Sequence, residues 1–211
     1  MMFLINALYF KSKWEFQFDK KNTKLGDFTK ANNQKIWVNM MEQTEDFPYY
    51  ADQYLSAVEM PYGNGAFSMV AILPASGKDI DQLIEYLDDT VWENIIDNMH
   101  ERKVWLKFPR FKIDCEIDLN DPVKNVGMQR IFCGGFANIS DVFLAVSEIK
   151  QKTFVQVNEE GTEAAAVTVI SMYLSAPLTT PFFANRPFLY LIKERSTGAI
   201  LFIGRMDEPK E

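Results

Sequence analysis

A single histidine, His100, and two cysteines, Cys115 and Cys133, leave this sequence little from which to build an active site. Ser-His-Asp or Cys-His catalysis would have to use His100. It falls at the end of a predicted helix between Met99 and Glu101, with no nucleophile beside it, and reads as a surface residue near a helix C-terminus. Two cysteines make no disulfide framework. They read as two free, partly buried thiols, with a single pairing the alternative. There is no Cys-x-x-Cys, no P-loop and no dinucleotide glycine fingerprint, so no cofactor and no metal are expected.

Positive charge is also short. Lys and Arg number 22 against 29 Asp and Glu, a net charge of −7, and no basic stripe runs along the chain. That balance argues against a nucleic-acid partner. Long hydrophobic runs are missing too. Met1–Phe10 is apolar, but no basic segment precedes it and Lys11–Trp14 follows where a small-residue cleavage site would stand, so it is not read as a signal peptide. It is too short to span a bilayer, and no membrane partner is expected.

What the sequence does hold is core-forming mass: 47% apolar residues and 17 phenylalanines. Large aromatics bury much area, so a true core is expected. Met2–Phe10 reads as a buried strand interrupted by Asn6, whose amide needs partners. Lys20–Asn33 reads as polar and turn-like, and Lys35–Met41 as a strand. Tyr54–Met60 and Ala66–Leu73 flank Pro61-Tyr62-Gly63-Asn64-Gly65, a hairpin signal. Ile80, Leu83, Ile84 and Leu87 have helical spacing after Asp79, and a second helix capped by Asp89 or Thr90 is expected to reach about Asn98. Val104–Ile113 alternates, with Pro109 expected to break the ladder. Asp121-Pro122 opens a short helix ending at Gly127. Phe143–Val157 reads as a long strand, and Phe188–Ile192 with Ile200–Ile203 as a hairpin around Ser196-Thr197-Gly198. Many strands and few helices in one block give an α+β class with mixed or antiparallel sheets.

One stretch departs from these patterns. Residues 158–181 show no helical period and no apolar stripe, and Pro177 and Pro181 close the segment. A structureless loop of about 20 residues in a compact domain is usually functional or disordered. This one carries Ala164, Ala165 and Ala166, then Val167, Thr168, Val169 and Ile170, which favour strands. It reads as a loop able to become a strand.

The run Val157-Asn158-Glu159-Glu160-Gly161-Thr162-Glu163-Ala164-Ala165-Ala166 closely resembles the hinge of an inhibitory serpin's reactive loop. Asn6 to Trp14 resembles that family's third central strand and the tryptophan after it. Leu106-Lys107-Phe108-Pro109-Arg110-Phe111 is similar to its proline-basic-aromatic segment. Asn185-Arg186-Pro187-Phe188, followed by Leu201-Phe202-Ile203-Gly204-Arg205, resembles its terminal signature. The matches appear in family order along the whole chain.

The resemblance implies the C-terminal portion of a single serpin domain, residues 1–211, with an exposed reactive loop at about 158–181 and the helix-rich N-terminal half absent. It implies a suicide-substrate protease inhibitor, not an enzyme. A target serine protease, or alternatively a cysteine protease, cleaves the loop, and the cut loop inserts between Met2–Phe10 and Phe143–Val157. The missing N-terminal half is a second partner. The hinge maps to Glu159, Glu160, Gly161, Thr162, Glu163, Ala164, Ala165 and Ala166. In a strand, Thr162, Ala164, Ala166 and Thr168 would share the inward side and are small enough to enter a packed interior. Trp14, Arg110 and Glu159 match the cluster at the top of the central sheet. Asn6 matches the mid-sheet asparagine, with Gln151 where the family has histidine. Family spacing gives Ser175-Ala176 as the reactive bond, suited to elastase-like proteases. Tyr173 or Leu174 would suit chymotrypsin-like ones. An extracellular or cell-envelope location is what the resemblance favours. The alternative is a non-inhibitory serpin-like binding module or an inactive fragment.

Overall fold

The computed structural model describes residues 1–136, 138–162 and 179–211, Thr162 by its backbone alone. In chain order the strands are β1 (Met2–Tyr9), β2 (Ser12–Lys13), β3 (Lys24–Thr29), β4 (Lys35–Ala51), β5 (Leu55–Tyr62), β6 (Phe67–Pro74) and β7 (His100–Pro109). They continue with β8 (Phe111–Asp118), β9 (Val146–Val157), β10 (Gly161–Thr162), β11 (Thr180–Phe183), β12 (Phe188–Glu194) and β13 (Ile200–Met206). The helices are α1 (Ile80–Tyr86), α2 (Asp89–Asp97) and α3 (Asn120–Asn125).

The chain divides into two compact units. The first, Met1–Phe10 with Lys112–Val155, is built on a three-stranded sheet in the order β1-β9-β8. β1 and β9 are parallel, with Asn6 opposite Gln151 and Tyr9 opposite Phe154. Tyr9 stacks on Phe154 at 5.5 Å. Asn120 caps the sheet from α3, accepting the Ile149 amide at 2.8 Å. Gly127 ends α3 at φ +92°, a left-handed turn that glycine adopts without a Cβ clash. The expectation of a buried first strand fails. Phe3 is 55% exposed and Ile5 77% exposed, because β1 is an edge strand with one neighbour and no layer of its unit packed over it.

The second unit, Lys11–Phe111 with Gln156–Glu211, holds an eight-stranded sheet in the order β11-β7-β4-β5-β6-β12-β13, with β3 pairing β4, and the small β10-β2 pair. Strands β5, β6 and β12 are buried on both faces, which explains their near-continuous apolar runs. Ile80, Leu83 and Ile95 of α1 and α2 pack with Leu55, Val70, Ile72 and Leu191. Each such side chain contributes about 1.5–3 kcal/mol on burial. Phe108, Phe111, Phe188 and Tyr190 form a separate ring cluster. The β5–β6 hairpin turns at Gly63 and Gly65, both at positive φ.

Three local expectations are corrected. Lys20–Asn33 is not only turn: β3 runs through it, laddered to β4 from Lys24–Met40 to Thr29–Lys35, with Phe28 fully buried. Gly26 and the charged Lys24 and Asp27 hide the alternation. As expected, the run Val104–Ile113 divides at Pro109, which ends β7 opposite Met40, where a missing N–H costs least, and β8 begins at Phe111. His100 is no helix end; it opens β7 opposite Tyr49. The cap of α2 is Asp88, whose carboxylate accepts the Val91 amide at 2.8 Å.

Candidate functional site

The second unit gathers three sequence-distant residues, Trp14, Arg110 and Glu159, around the turn that leaves β9. The turn is self-closing. Asn158 and Gly161 exchange backbone hydrogen bonds of 3.0 and 3.2 Å, and the Asn158 side chain accepts the Glu160 amide at 3.0 Å. Gly161 sits at φ +122°, where L side chains are strained. A Cβ there would strike the Ser12 carbonyl, Lys13 Cα and the Trp14 amide, so glycine is the only residue that fits. Past the turn, β10 runs antiparallel to β2, with Gly161 opposite Lys13 and Thr162 opposite Ser12.

Trp14 carries the other side of this turn. It is 3% exposed, stacks on Tyr62 with ring centroids 4.3 Å apart, and meets Phe18 edge-on. Its indole Nε1 donates to the Asn158 carbonyl at 2.9 Å, satisfying the polar end of a buried ring. Two main-chain bonds fix the register: the Trp14 amide donates to the Glu160 carbonyl at 3.0 Å, and the Phe18 amide to the Glu159 carbonyl at 2.9 Å.

Glu159 points inward, its side chain 2% exposed. Arg110 donates to it through Nε at 2.8 Å and through Nη2, and Thr23 Oγ1 donates to the same oxygen. Burial pushes the carboxyl pKa up. The hydrogen bonds from Arg110 and Thr23 and the Arg110 charge more than offset that, and the group sits below its ordinary 4.5. Lys20 pairs with Glu160.

Asn6 and Gln151 lie opposite each other in the first unit, but Gln151 donates to Thr153 Oγ1 at 3.4 Å and not to Asn6, which is exposed. Glu163, Ala164, Ala165 and Ala166, and the candidate bond at Ser175-Ala176 with Tyr173 and Leu174, lie outside the described residues. Reading the sequence missed Thr23, Lys20, Asn158 and Tyr62. Lys20 and Thr23 fell in a stretch read as solvated turn. Tyr62 fell in a hairpin signal, and nothing local marks it as the surface on which Trp14 stacks.

Chemically, the arrangement anchors a chain reversal and pairs β10 with β2. His100 lines a shallow cleft with Tyr49, Asn98, Arg102 and Thr180, and among the described residues no serine or cysteine lines it. Among the described residues no group of three His, Cys, Asp or Glu could hold a metal ion, and no helix is long and apolar enough to cross a membrane.

The family model described as serpin (serine protease inhibitor) matches residues 1–209. An uncharacterized serpin-like protein of Thermococcus kodakarensis is 38% identical over 214 residues, covering 99% of this chain and 50% of that protein. Serpin B4 of Homo sapiens is 38% identical, over 98% of this chain and 55% of its own length. Among solved structures, the thermophilic serpin tengpin in its native state superposes with a TM-score of 0.88 at 29% identity, over 98% of this chain and 55% of that one. Thyroxine-binding globulin complexed with thyroxine gives 0.86 at 26% identity, over 99% and 57%. The chain spans about half the length of the curated relatives it matches.

Proposed function

The chain belongs to the serpin family, and from that premise we propose that the protein is a protease inhibitor that acts as a suicide substrate. The observation that carries this reading is the direction of β10. The chain reverses at Gly161 and starts back antiparallel to β2. β1 and β9 are parallel to each other, so a strand entering between them in the opposite sense would be antiparallel to both. Insertion would then replace one parallel ladder of eight registered pairs with two antiparallel ones. At about 0.5–1.5 kcal/mol net per backbone hydrogen bond, the added ladder offsets much of the ordering cost of about 1–2 kcal/mol per residue. Inward side chains then decide the outcome. Thr162, Ala164, Ala166 and Thr168 are all small.

In this mechanism the protease nucleophile attacks the Ser175 carbonyl carbon. The bond to Ala176 breaks, the new amine takes the proton, and Ser175 remains as an acyl ester on the protease. Loop insertion carries the esterified protease away before water can reach the ester. Small residues at the bond fit an elastase-like serine protease; cleavage after Tyr173 or Leu174 would point to a chymotrypsin-like one. The cluster of Trp14, Arg110 and Glu159 acts as the anchor from which insertion starts, and the polypeptide corresponding to the relatives' other half completes the sheet beside β1.

The test is incubation of the full-length protein with elastase and with chymotrypsin, followed by boiling in detergent. A band at the summed mass, with mass spectrometry locating the cut, supports inhibition. Cleavage without a surviving complex favours the second reading, a non-inhibitory binding module, which the likeness to thyroxine-binding globulin supports.

A further inference from the structure

The residues after β13 are held at intervals, from the buried end of the strand onward. Met206 is 4% exposed and Pro209 is buried. Between them Glu208 pairs with Lys30 at 3.7 Å. The last step brings Glu211 onto two groups. Its Oε1 accepts from Asn39 Nδ2 at 2.6 Å, and its Oε2 lies 3.8 Å from Arg110 Nη1. Asn39 is joined to Arg110 a second time, its carbonyl accepting the Arg110 amide at 2.9 Å. Arg110 therefore stands between two carboxylates. Nε and Nη2 serve Glu159 at the turn, and Nη1 faces Glu211 on the strap.

We propose that the segment Asp207–Glu211 is a strap whose Glu211 side-chain carboxylate positions the Arg110 fork on Glu159 and so sets how readily the turn at Asn158–Gly161 opens. The inference deepens the inhibitor reading: if the loop inserts from this turn, the strap sets the resistance to starting. Guanidinium is planar, so fixing Nη1 on one side fixes the plane in which Nε and Nη2 point on the other. Without Glu211, Arg110 has one anchored edge and wider freedom, and the buried Glu159 carboxylate is more often short of a donor.

The size of the effect follows from exposure. The Glu211 side chain is 47% exposed, so the pair is screened and modest. A change of about two- to fivefold in the opening equilibrium is expected at low salt, falling toward none near 1 M salt, where the Debye length is about 3 Å.

The readout is hydrogen exchange at the Trp14 and Phe18 amides of the full-length protein, because these donate to the Glu160 and Glu159 carbonyls and report turn opening directly. Glu211→Gln should accelerate both by about two- to fivefold at low salt and leave the amides of the β5–β6 hairpin unchanged. Asn39→Ala, which frees Glu211 without altering charge, should move them the same way. In an Arg110→Ala background, Glu211→Gln should add nothing. Unchanged exchange in Glu211→Gln, or the same acceleration without Arg110, overturns the strap. The inhibitor reading is decided separately by the detergent-resistant complex: a strap effect with no complex leaves the strap standing and removes only its role in inhibition.

Discussion

Arg110 Nε and Nη2 converge on one oxygen of Glu159, whose side chain is 2% exposed. A carboxylate that deeply buried is sustained by its partner. Arg110→Ala should lower the stability of the full-length protein by about 3 kcal/mol, because it strands the charge. Replacing both, as Arg110→Met with Glu159→Leu, should recover most of that, since no uncompensated ion remains. Urea midpoints of the three variants check it, and a double variant no better than Arg110→Ala would contradict it.

The same pair sets an acid limit. The Glu159 carboxyl is held below its ordinary value of 4.5 in the folded chain. A depressed folded pKa gives stability that is complete above the unfolded value and is lost as pH falls through the folded one. The Arg110–Glu159 contribution should therefore be flat from neutrality down to about pH 4.5 and decline below it. Glu159→Gln should remove that decline. Thermal melts from pH 7 to 3 of wild type and variant would show the two curves converging at the acid end.

Gly161→Ala tests the reversal itself. The residue sits at φ +122°, and a Cβ would meet the backbone of Ser12, Lys13 and Trp14. Strain and overpacking together should cost about 2–4 kcal/mol. β10 should separate from β2, and the Trp14 amide should lose exchange protection as the Glu160 carbonyl moves. A variant with wild-type protection at Trp14 would mean the turn tolerates a side chain by another route.

Trp14→Phe isolates one bond. The ring can still stack on Tyr62, but Nε1 and its bond to the Asn158 carbonyl are gone. The Asn158 carbonyl keeps the Gly161 amide as a donor, so the change removes one hydrogen bond, about 0.5–1.5 kcal/mol net. The thermal midpoint should fall accordingly, and Trp14→Ala should fall further because the stacked area is lost as well.

What was legible in the sequence had local cause. The Gly63–Gly65 hairpin, the helical spacing of α1 and the β12–β13 hairpin each rest on residues within a few positions of one another. In the last, Glu194 accepts from Ser196 and Thr197, which hold its carboxyl down at about 2. Trp14, Arg110 and Glu159 were grouped by resemblance, since no spacing rule joins residues 49 and more positions apart. Thr23, Lys20 and Glu211 were missed because their roles come entirely from what they face. The exposed β1 was misjudged for a related reason: an apolar strand reports that it can be covered, and not that its own unit covers it.

Thr162→Arg is the sharpest test of insertion. Thr162 is the second residue of β10 and the first on the side that carries Ala164, Ala166 and Thr168 in the alternation. If the cut loop enters a sheet with that side inward, an arginine there becomes a buried, unpaired charge, which costs more than the strand's hydrogen bonds return. The candidate bond at Ser175 lies 13 residues further on, too far along the chain for the substitution to alter what the protease reads. Cleavage should therefore proceed at the wild-type rate while the detergent-resistant complex disappears and all inhibitor turns over as substrate. The cleaved variant should also lack the rise in melting temperature that the proposed insertion would give cleaved wild type. Glu163→Arg, on the opposite side of the same strand, is the control and should keep both the complex and the stabilisation. If Thr162→Arg still trapped the protease, the strand would not enter with Thr162 inward, and inhibition by insertion from this hinge would have to be abandoned.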